Sequence, residues 1–475
     1  MKDNYIYIIK TFGVILLLAF IVSYILESIS FNLFTGGFYS LLRNTYFLFM
    51  LIYLTFLFIE SRTNQSILLI ILIPFLQQFY HIILGWEIAP GANSFLRLLP
   101  IIAMDVRILI LLNNSNFTVS KIERTFLIFW LLFCSIWIII SPNFLNSGLG
   151  TTLIFFISIP TMYFFIKSHT QLFNNNIALL FDSFIVGYII LAVGTLALPF
   201  VGLQYHNSES FLVTRNIADS NMVMAYLILM FPFVIESVSI TNKWLSPIII
   251  ILFILNTLLS FSRGSLILAV PLLLYSLFVQ KIKLKNIILP FFALFLLFNY
   301  IFLIKFDFIY LWSIRFNAVI NDIPSFYKES LNLIFFGTAE SGREDIRSVA
   351  LKMFYEKPII GNGFNSFQFF GGYGEAHSIF YNTLAENGIV GIIILISAFS
   401  LVLKNLFTWA IHEKSGFAKL YLVSYILFII FNLNVNGAFY SVTTNDLKIT
   451  FLGTILFLFI AFMPKISLDK LNQTH

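Results

Sequence analysis

Long apolar runs separated by short polar breaks dominate this chain. They fall at about 9–29, 45–59, 67–84, 96–112, 126–141, 151–166, 177–202, 221–238, 245–261, 264–280, 286–304, 388–403, 419–436 and 449–463. A helix needs roughly 20 residues to cross a bilayer, and several runs are shorter, so about 12–14 transmembrane helices are expected. The fold class this predicts is all-α: a polytopic integral membrane protein in which one large loop carries short amphipathic helices. The first run follows MKDNYIYIIK, exceeds a signal-peptide core in length and lacks a small-x-small cleavage site. It reads as a retained first span.

Composition narrows the class further. Of 475 residues, 59% are hydrophobic and 11% charged, against roughly 45–50% and 25% in ordinary soluble domains. Mean hydropathy is +0.93. A soluble globular protein and a disordered chain are both excluded. The single cysteine, Cys134, sits inside an apolar run. Neither a disulfide framework nor a thiolate metal site can be built around it.

Charge placement orients the spans. With the N-terminus inside, fifteen Lys and Arg fall in cytoplasmic segments and five in the short outer loops, Arg43, Arg97, Arg215, Arg263 and Lys448. By the positive-inside rule both termini are expected in the cytoplasm. One outer segment is not short: 305–376 holds seven Lys/Arg and eight of the 22 Asp/Glu. Three regions follow: a bundle of about eleven spans over 1–304, a periplasmic loop with the candidate motifs over 305–387, and C-terminal spans with a tail over 388–475.

The long loop has its own local structure. Ser341 and Glu344 have capping-box spacing, Ile346, Val349, Ala350, Met353 and Phe354 recur at helical period, and Pro358 bounds the far end. The pattern predicts a short amphipathic helix lying on the outer leaflet. Arg343 falls in its first turn, where free N–H groups and a guanidinium together make an anion site, and Arg347 lies one turn on. A tight turn follows at 358–363, then the glycine-rich 371–374. His377 opens a second helical stretch, closed by Asn387-Gly388.

Ionisable groups beside or within the apolar runs are costly and mark candidate sites. Arg263, in Ser262-Arg263-Gly264, is wedged between two runs at the outer face, and Arg215 lies in the outer loop before the eighth. Asp105 and Arg107, two residues apart in the fourth run, cannot share a helix face. Pairing of Asp105 with another helix and inward snorkelling of Arg107 are the structural alternative there. The outer face thus collects Arg215, Arg263, Arg343 and His377, a set suited to a membrane-anchored diphosphate, whose oxygens the guanidinium fork matches. There is no Walker loop, HExxH or strand-led GxGxxG. The first outer loop, 31–44, has no acidic residue, so no carboxylate pair is offered to a divalent ion and no metal or other cofactor is expected.

Four segments, Ser262-Arg263-Gly264, Ser341-Gly-Arg343, Lys357-Pro-Ile-Ile-Gly-Asn-Gly363 and Ala376-His377-Ser-Ile-Phe-Tyr-Asn-Thr-Leu-Ala-Glu386-Asn-Gly-Ile-Val-Gly391, resemble the O-antigen ligase and O-antigen polymerase superfamily. The Arg215 stretch is similar to the one before a core span of that family. The resemblance implies a metal-independent glycosyltransferase of the bacterial inner membrane that uses undecaprenyl-diphosphate-linked glycans. Arg263 and Arg343 would hold the diphosphate, with Arg215 and Arg347 contributing to substrate binding, and His377 would activate the acceptor hydroxyl. The family often has His-Asn where this chain has His377-Ser378.

The chemistry agrees with that assignment. An acceptor hydroxyl must lose a proton as it attacks the anomeric carbon, and a diphosphate leaves with added negative charge. Histidine, with an unperturbed pKa near 6.5, suits the first task, and arginines aimed at growing charge suit the second. Direct displacement would invert the anomeric centre. The expected partners are a lipid-linked oligosaccharide donor, a glycan acceptor, membrane lipids, a chain-length regulator and a flippase, with no nucleic acid. A polymerase, which extends a lipid-linked repeat unit, is preferred over a ligase, which loads lipid A-core, because polymerases are many and divergent whereas each envelope needs one ligase. A flippase is the alternative of another class, but the chain shows neither an internal repeat nor uniformly short loops.

Overall fold

The computed structural model describes residues 2–28, 38–84, 95–113, 118–142, 150, 152–197, 220–241, 245–259, 263–280, 292, 343–371, 376, 378–413, 416–434 and 451–465. Among these there is no strand. The elements are α1 (Lys2–Ser28), α2 (Phe38–Ile59), α3 (Thr63–Leu84), α4 (Phe95–Asn113), α5 (Lys121–Ile139), a π-helical turn Leu153–Ser158 running into α6 (Ile159–Ser168), α7 (Thr170–Asn175), α8 (Ile177–Ala197), α9 (Ser220–Thr241), α10 (Leu245–Leu259) and α11 (Arg263–Gln280). Further along the chain come α12 (Arg343–Glu356), α13 (Ser366–Gly371), α14 (Ile379–Glu413), α15 (Gly416–Asn434), α16 (Phe451–Phe462) and a 3-10 turn Met463–Lys465. Thirteen of the fourteen apolar runs coincide with these helices, and the run at 286–304 lies, but for Phe292, outside the described residues.

The helices follow from the solvent. Hydrocarbon cannot satisfy backbone N–H and C=O groups, so each crossing segment must bond internally as a helix. Among the described residues, four helices are long and apolar enough to cross a membrane, within Ile6–Leu26, Lys121–Ile139, Ile177–Leu196 and Ile379–His412, and eight shorter apolar helices accompany them. The chain is a polytopic membrane protein. Prolines 74, 100, 232 and 271 lie inside helices, as membrane helices tolerate.

The chain divides into two compact units: Met1–Leu191 with Ile360–Gly374 and Tyr440–His475, and Ala192–Ile359 with Glu375–Phe439. In the first, α1 packs on α2, α2 on α3, α3 on α4, and α16 on α6 and α3. A capping box starts α5: Ser120 Oγ accepts the Glu123 N–H at 3.3 Å and Glu123 Oε2 accepts the Ser120 N–H at 2.9 Å. Asp105 and Arg107 of α4 bond to neighbouring elements. Asp105 accepts from Ser158 Oγ at 2.5 Å and Thr161 Oγ1 at 3.1 Å, which is the pairing with another helix expected above. Arg107 is buried and donates to the Glu60 carbonyl and, at 2.7 Å, to Ser66 Oγ.

Glu60, between α2 and α3, accepts from Tyr7 Oη at 2.7 Å and from Arg62 Nε and Nη2 at 2.9 Å each. The Arg62 guanidinium, first of all, pushes its carboxyl down to about 2, with the Tyr7 hydroxyl adding to the effect and burial opposing it. In the second unit, α9 packs on α10, α11 and α15, and α11 on α15. Thr195 Oγ1 donates to Asn256 Oδ1 at 2.7 Å, and Ser424 Oγ donates to the Ile228 carbonyl. The same unit seats α12 on α14, and the candidate site is built there.

Candidate functional site

α14 is not one rod. Gly388 sits at φ 63°, ψ −160°, in the region glycine enters without a Cβ penalty, and it breaks the helix into 379–387 and a membrane-crossing 389–413. A new helix start leaves N–H groups without intrahelical acceptors. Here the turn after α12 supplies them: Ile389 N–H donates to the Pro358 carbonyl at 2.9 Å and Val390 N–H to the Ile359 carbonyl at 3.2 Å. Main-chain bonds therefore join two of the singled-out motifs, the Lys357–Gly363 turn and the Ala376–Gly391 stretch.

The residues either side of His377 are tied down from the helix that follows. Asn382 Oδ1 accepts the Ala376 N–H at 3.0 Å, and the Asn382 N–H donates to the Ser378 carbonyl at 2.9 Å. Ser378 Oγ faces the Tyr381 N–H at 3.5 Å, in the position of an N-cap. That gives Ser378 a structural task. Ser378, Asn382, Thr383, Glu386 and Asn387 are all buried, a density of polar groups that apolar packing does not explain. His377 itself lies outside the described residues.

α12 lies against this helix. Its guanidinium at Arg347 is 5% exposed and stands over the Tyr381 ring, 5.3 Å from the centroid. The apolar face of α12, expected to lie on the outer leaflet, is instead buried in protein at Ile346, Ala350 and Met353. The reason is the neighbour: α14 offers its own surface to bury that stripe, so lipid is not needed. α12 begins at Arg343 and ends at Glu356, two residues before Pro358. Arg263 is the first residue of α11. Arg215 lies outside the described residues, as do Ser341 and Gly342 of the expected capping box.

The first unit holds the rest of the motif turn. Trp137, in the last turn of α5, donates from Nε1 to the Ile360 carbonyl at 2.8 Å and accepts the Phe364 N–H at 3.1 Å. Ser141 Oγ donates to the Phe364 carbonyl at 2.5 Å. The Phe364 ring stacks on Phe155 at 4.4 Å and meets Trp137 edge-on at 5.6 Å. Gly363 sits at φ +93°, and a Cβ there would meet Ser141 N and Trp137 O at 2.6 Å. Sequence reasoning missed these partners. Trp137 and Ile360 are 223 positions apart, and no local spacing links them.

Residues 248–396 match the family model described as O-antigen ligase. The match supports membership of the O-antigen ligase and polymerase superfamily. The matched segment is less than half of the chain, runs from α10 into α14, and contains Arg263, Arg343, Arg347, the 357–363 turn and His377. Arg215 precedes it. No curated protein matches the chain. A function of the O-antigen ligase and polymerase type, glycosyltransferase-like, is what the segment supports.

Proposed function

We propose that the protein transfers a glycan from an undecaprenyl-diphosphate donor to a lipid-linked repeat unit, as an O-antigen or related surface-polysaccharide polymerase. The single observation that carries this reading is that the O-antigen ligase match spans Arg263, Arg343 and His377 together. The reaction runs at the periplasmic face of the inner membrane, with both termini in the cytoplasm and 305–387 outside. Arg263 and Arg343, with Arg215 and Arg347 around them, hold the diphosphate, and His377 takes the proton of the acceptor hydroxyl. As the anomeric C–O bond to the diphosphate breaks, negative charge grows on the leaving phosphate oxygens, and guanidinium groups stabilise that charge in the transition state. The new glycosidic bond forms on the opposite face, inverting the centre without a metal.

Two features support this division of labour. α12 and α11 each begin with one of the arginines, and a helix start adds free N–H groups and a positive dipole end to the guanidinium. The flanks of His377 are held by Asn382, the rigid support a positioned base requires. The test is the surface-glycan ladder of a deletion strain carrying Arg263→Ala or Arg343→Ala at wild-type protein level. The expected result is single-repeat caps on lipid A-core. Bare core would assign the ligase reaction instead, and an intact ladder would remove both arginines from the site. Lysine at either position should rescue poorly, because a point charge lacks the bidentate fork.

A further inference from the structure

α13 presents two adjacent phenylalanines that stand largely exposed. Phe369 is 58% exposed and Phe370 56%, while Phe364 and Phe367 of the same segment are buried. Two bare aromatic rings side by side on a six-residue helix are a poor surface to leave in water. Their position names what covers them. The segment is fastened to the C-terminal end of α5 by the bonds of Trp137, in its last turn, and Ser141, just past it, to residues 360 and 364. α5 spans Lys121–Ile139 with only 17% of its apolar window buried, and Phe126, Phe129 and Ile139 stand exposed along it. Its surface is therefore lipid-facing, and its end marks the boundary between acyl chains and headgroups. A short helix docked there sits at the interface, where aromatic side chains collect.

We propose that Phe369 and Phe370 insert into the leaflet at the C-terminal end of α5 and act as a membrane anchor for the segment 360–371. The partner is the phospholipid bilayer, not a specific ligand. α13 takes the interfacial role that the pattern of α12 suggested, because α12 has already buried its apolar face on α14. The anchor holds whether the protein polymerises, ligates or does neither, since it depends only on α5 crossing the membrane.

The full chain, with Cys134→Ala, is reconstituted in phosphatidylcholine nanodiscs free of isoprenoid lipid. Single cysteines at Phe369→Cys and Phe370→Cys carry an environment-sensitive fluorophore. Asn64→Cys, in the polar start of α3, serves as the water-facing reference and Phe129→Cys, on the exposed side of α5, as the lipid-facing one. Labels at 369 and 370 should be quenched by a phosphatidylcholine spin-labelled near the headgroup, and iodide quenching should be several-fold weaker than at 64. Iodide quenching equal to that at 64 would overturn the proposal in favour of water. Protection from both quenchers would overturn it in favour of protein, a second copy included. A photoactivatable phosphatidylcholine added to the unsubstituted protein checks the result without any substitution: adducts should map to residues 369–370, and a peptide 366–371 free of adduct while α5 carries them would reject the anchor.

Discussion

The guanidinium of Arg347 lies 5.3 Å from the centroid of the Tyr381 ring, joining α12 to the helix that follows His377. Arg347 is buried, so its cation feels the ring quadrupole without competing water, where such pairs are worth about 2 kcal/mol instead of about 0.5–1 at exposed sites. Arg347→Met and Tyr381→Leu, alone and together, should give a coupling of about 1–2 kcal/mol in thermal unfolding of the detergent-solubilised protein. Additive losses would show that the two side chains are neighbours without being partners.

Gly363→Ala tests the fastening of the motif turn to α5. The residue combines a left-handed φ of +93° with a Cβ position 2.6 Å from Ser141 N and Trp137 O. Neither backbone atom can swing aside as a flexible side chain would, so the turn must leave α5 or distort. Strain of this kind costs about 1–3 kcal/mol. Faster limited proteolysis within 357–371, with the membrane helices intact, is the expected reading, and an unchanged cleavage pattern would contradict the contact.

Acid stability should report on Glu60. Arg62 and Tyr7 bind the carboxylate and push its pKa down from about 4.5 to about 2. A depressed carboxyl stabilises the fold above the unfolded-state value and loses that contribution as pH falls through the folded-state value. The window is therefore about pH 4.5 to 2. Glu60→Gln should lower stability at neutral pH and flatten the acid limb across that window, and because the Arg62 side chain is largely exposed, salt should shrink the difference. Parallel acid limbs for both proteins would mean that Glu60 is not the group responsible.

The membrane helices were legible because hydrocarbon leaves the backbone one solution, and long apolar runs report it directly. The break at Asn387-Gly388 and the turn at 358–363 were legible for a similar reason, since glycine and proline announce backbone angles that other residues avoid. Asp105 could be expected to bond another helix, as it does through Ser158 and Thr161. What could not be read was which surfaces meet. The stripe Ile346, Ala350, Met353 fits a leaflet or a helix equally well, and only the fold assigns it to α14. Trp137 looked like one more aromatic in an apolar run, and its role arises from a contact 223 positions away.

The base role proposed for His377 makes the sharpest chemical prediction. Its neighbours Ala376 and Ser378 are both tied to Asn382, so Asn382→Asp, which keeps an acceptor for the Ala376 N–H, should be milder than Asn382→Leu, which does not. If His377 takes the acceptor proton, His377→Ala should lower turnover far more than donor binding, because the proton moves only in the reaction step while the arginines still grip the diphosphate. His377→Gln keeps a hydrogen-bonding group but cannot accept a proton at neutral pH, so it should be nearly as damaged. Wild-type turnover should fall as pH drops through the imidazole value near 6.5, since the base must be neutral to act. If His377 only positions the acceptor, and the departing diphosphate or water takes the proton, the Gln variant keeps much of its activity and the wild-type profile stays flat. Purified protein with a lipid-linked donor, assayed for both variants across about pH 5.5–8.5 to bracket that value, decides between the two, and an active Gln variant ends the case for a base at 377.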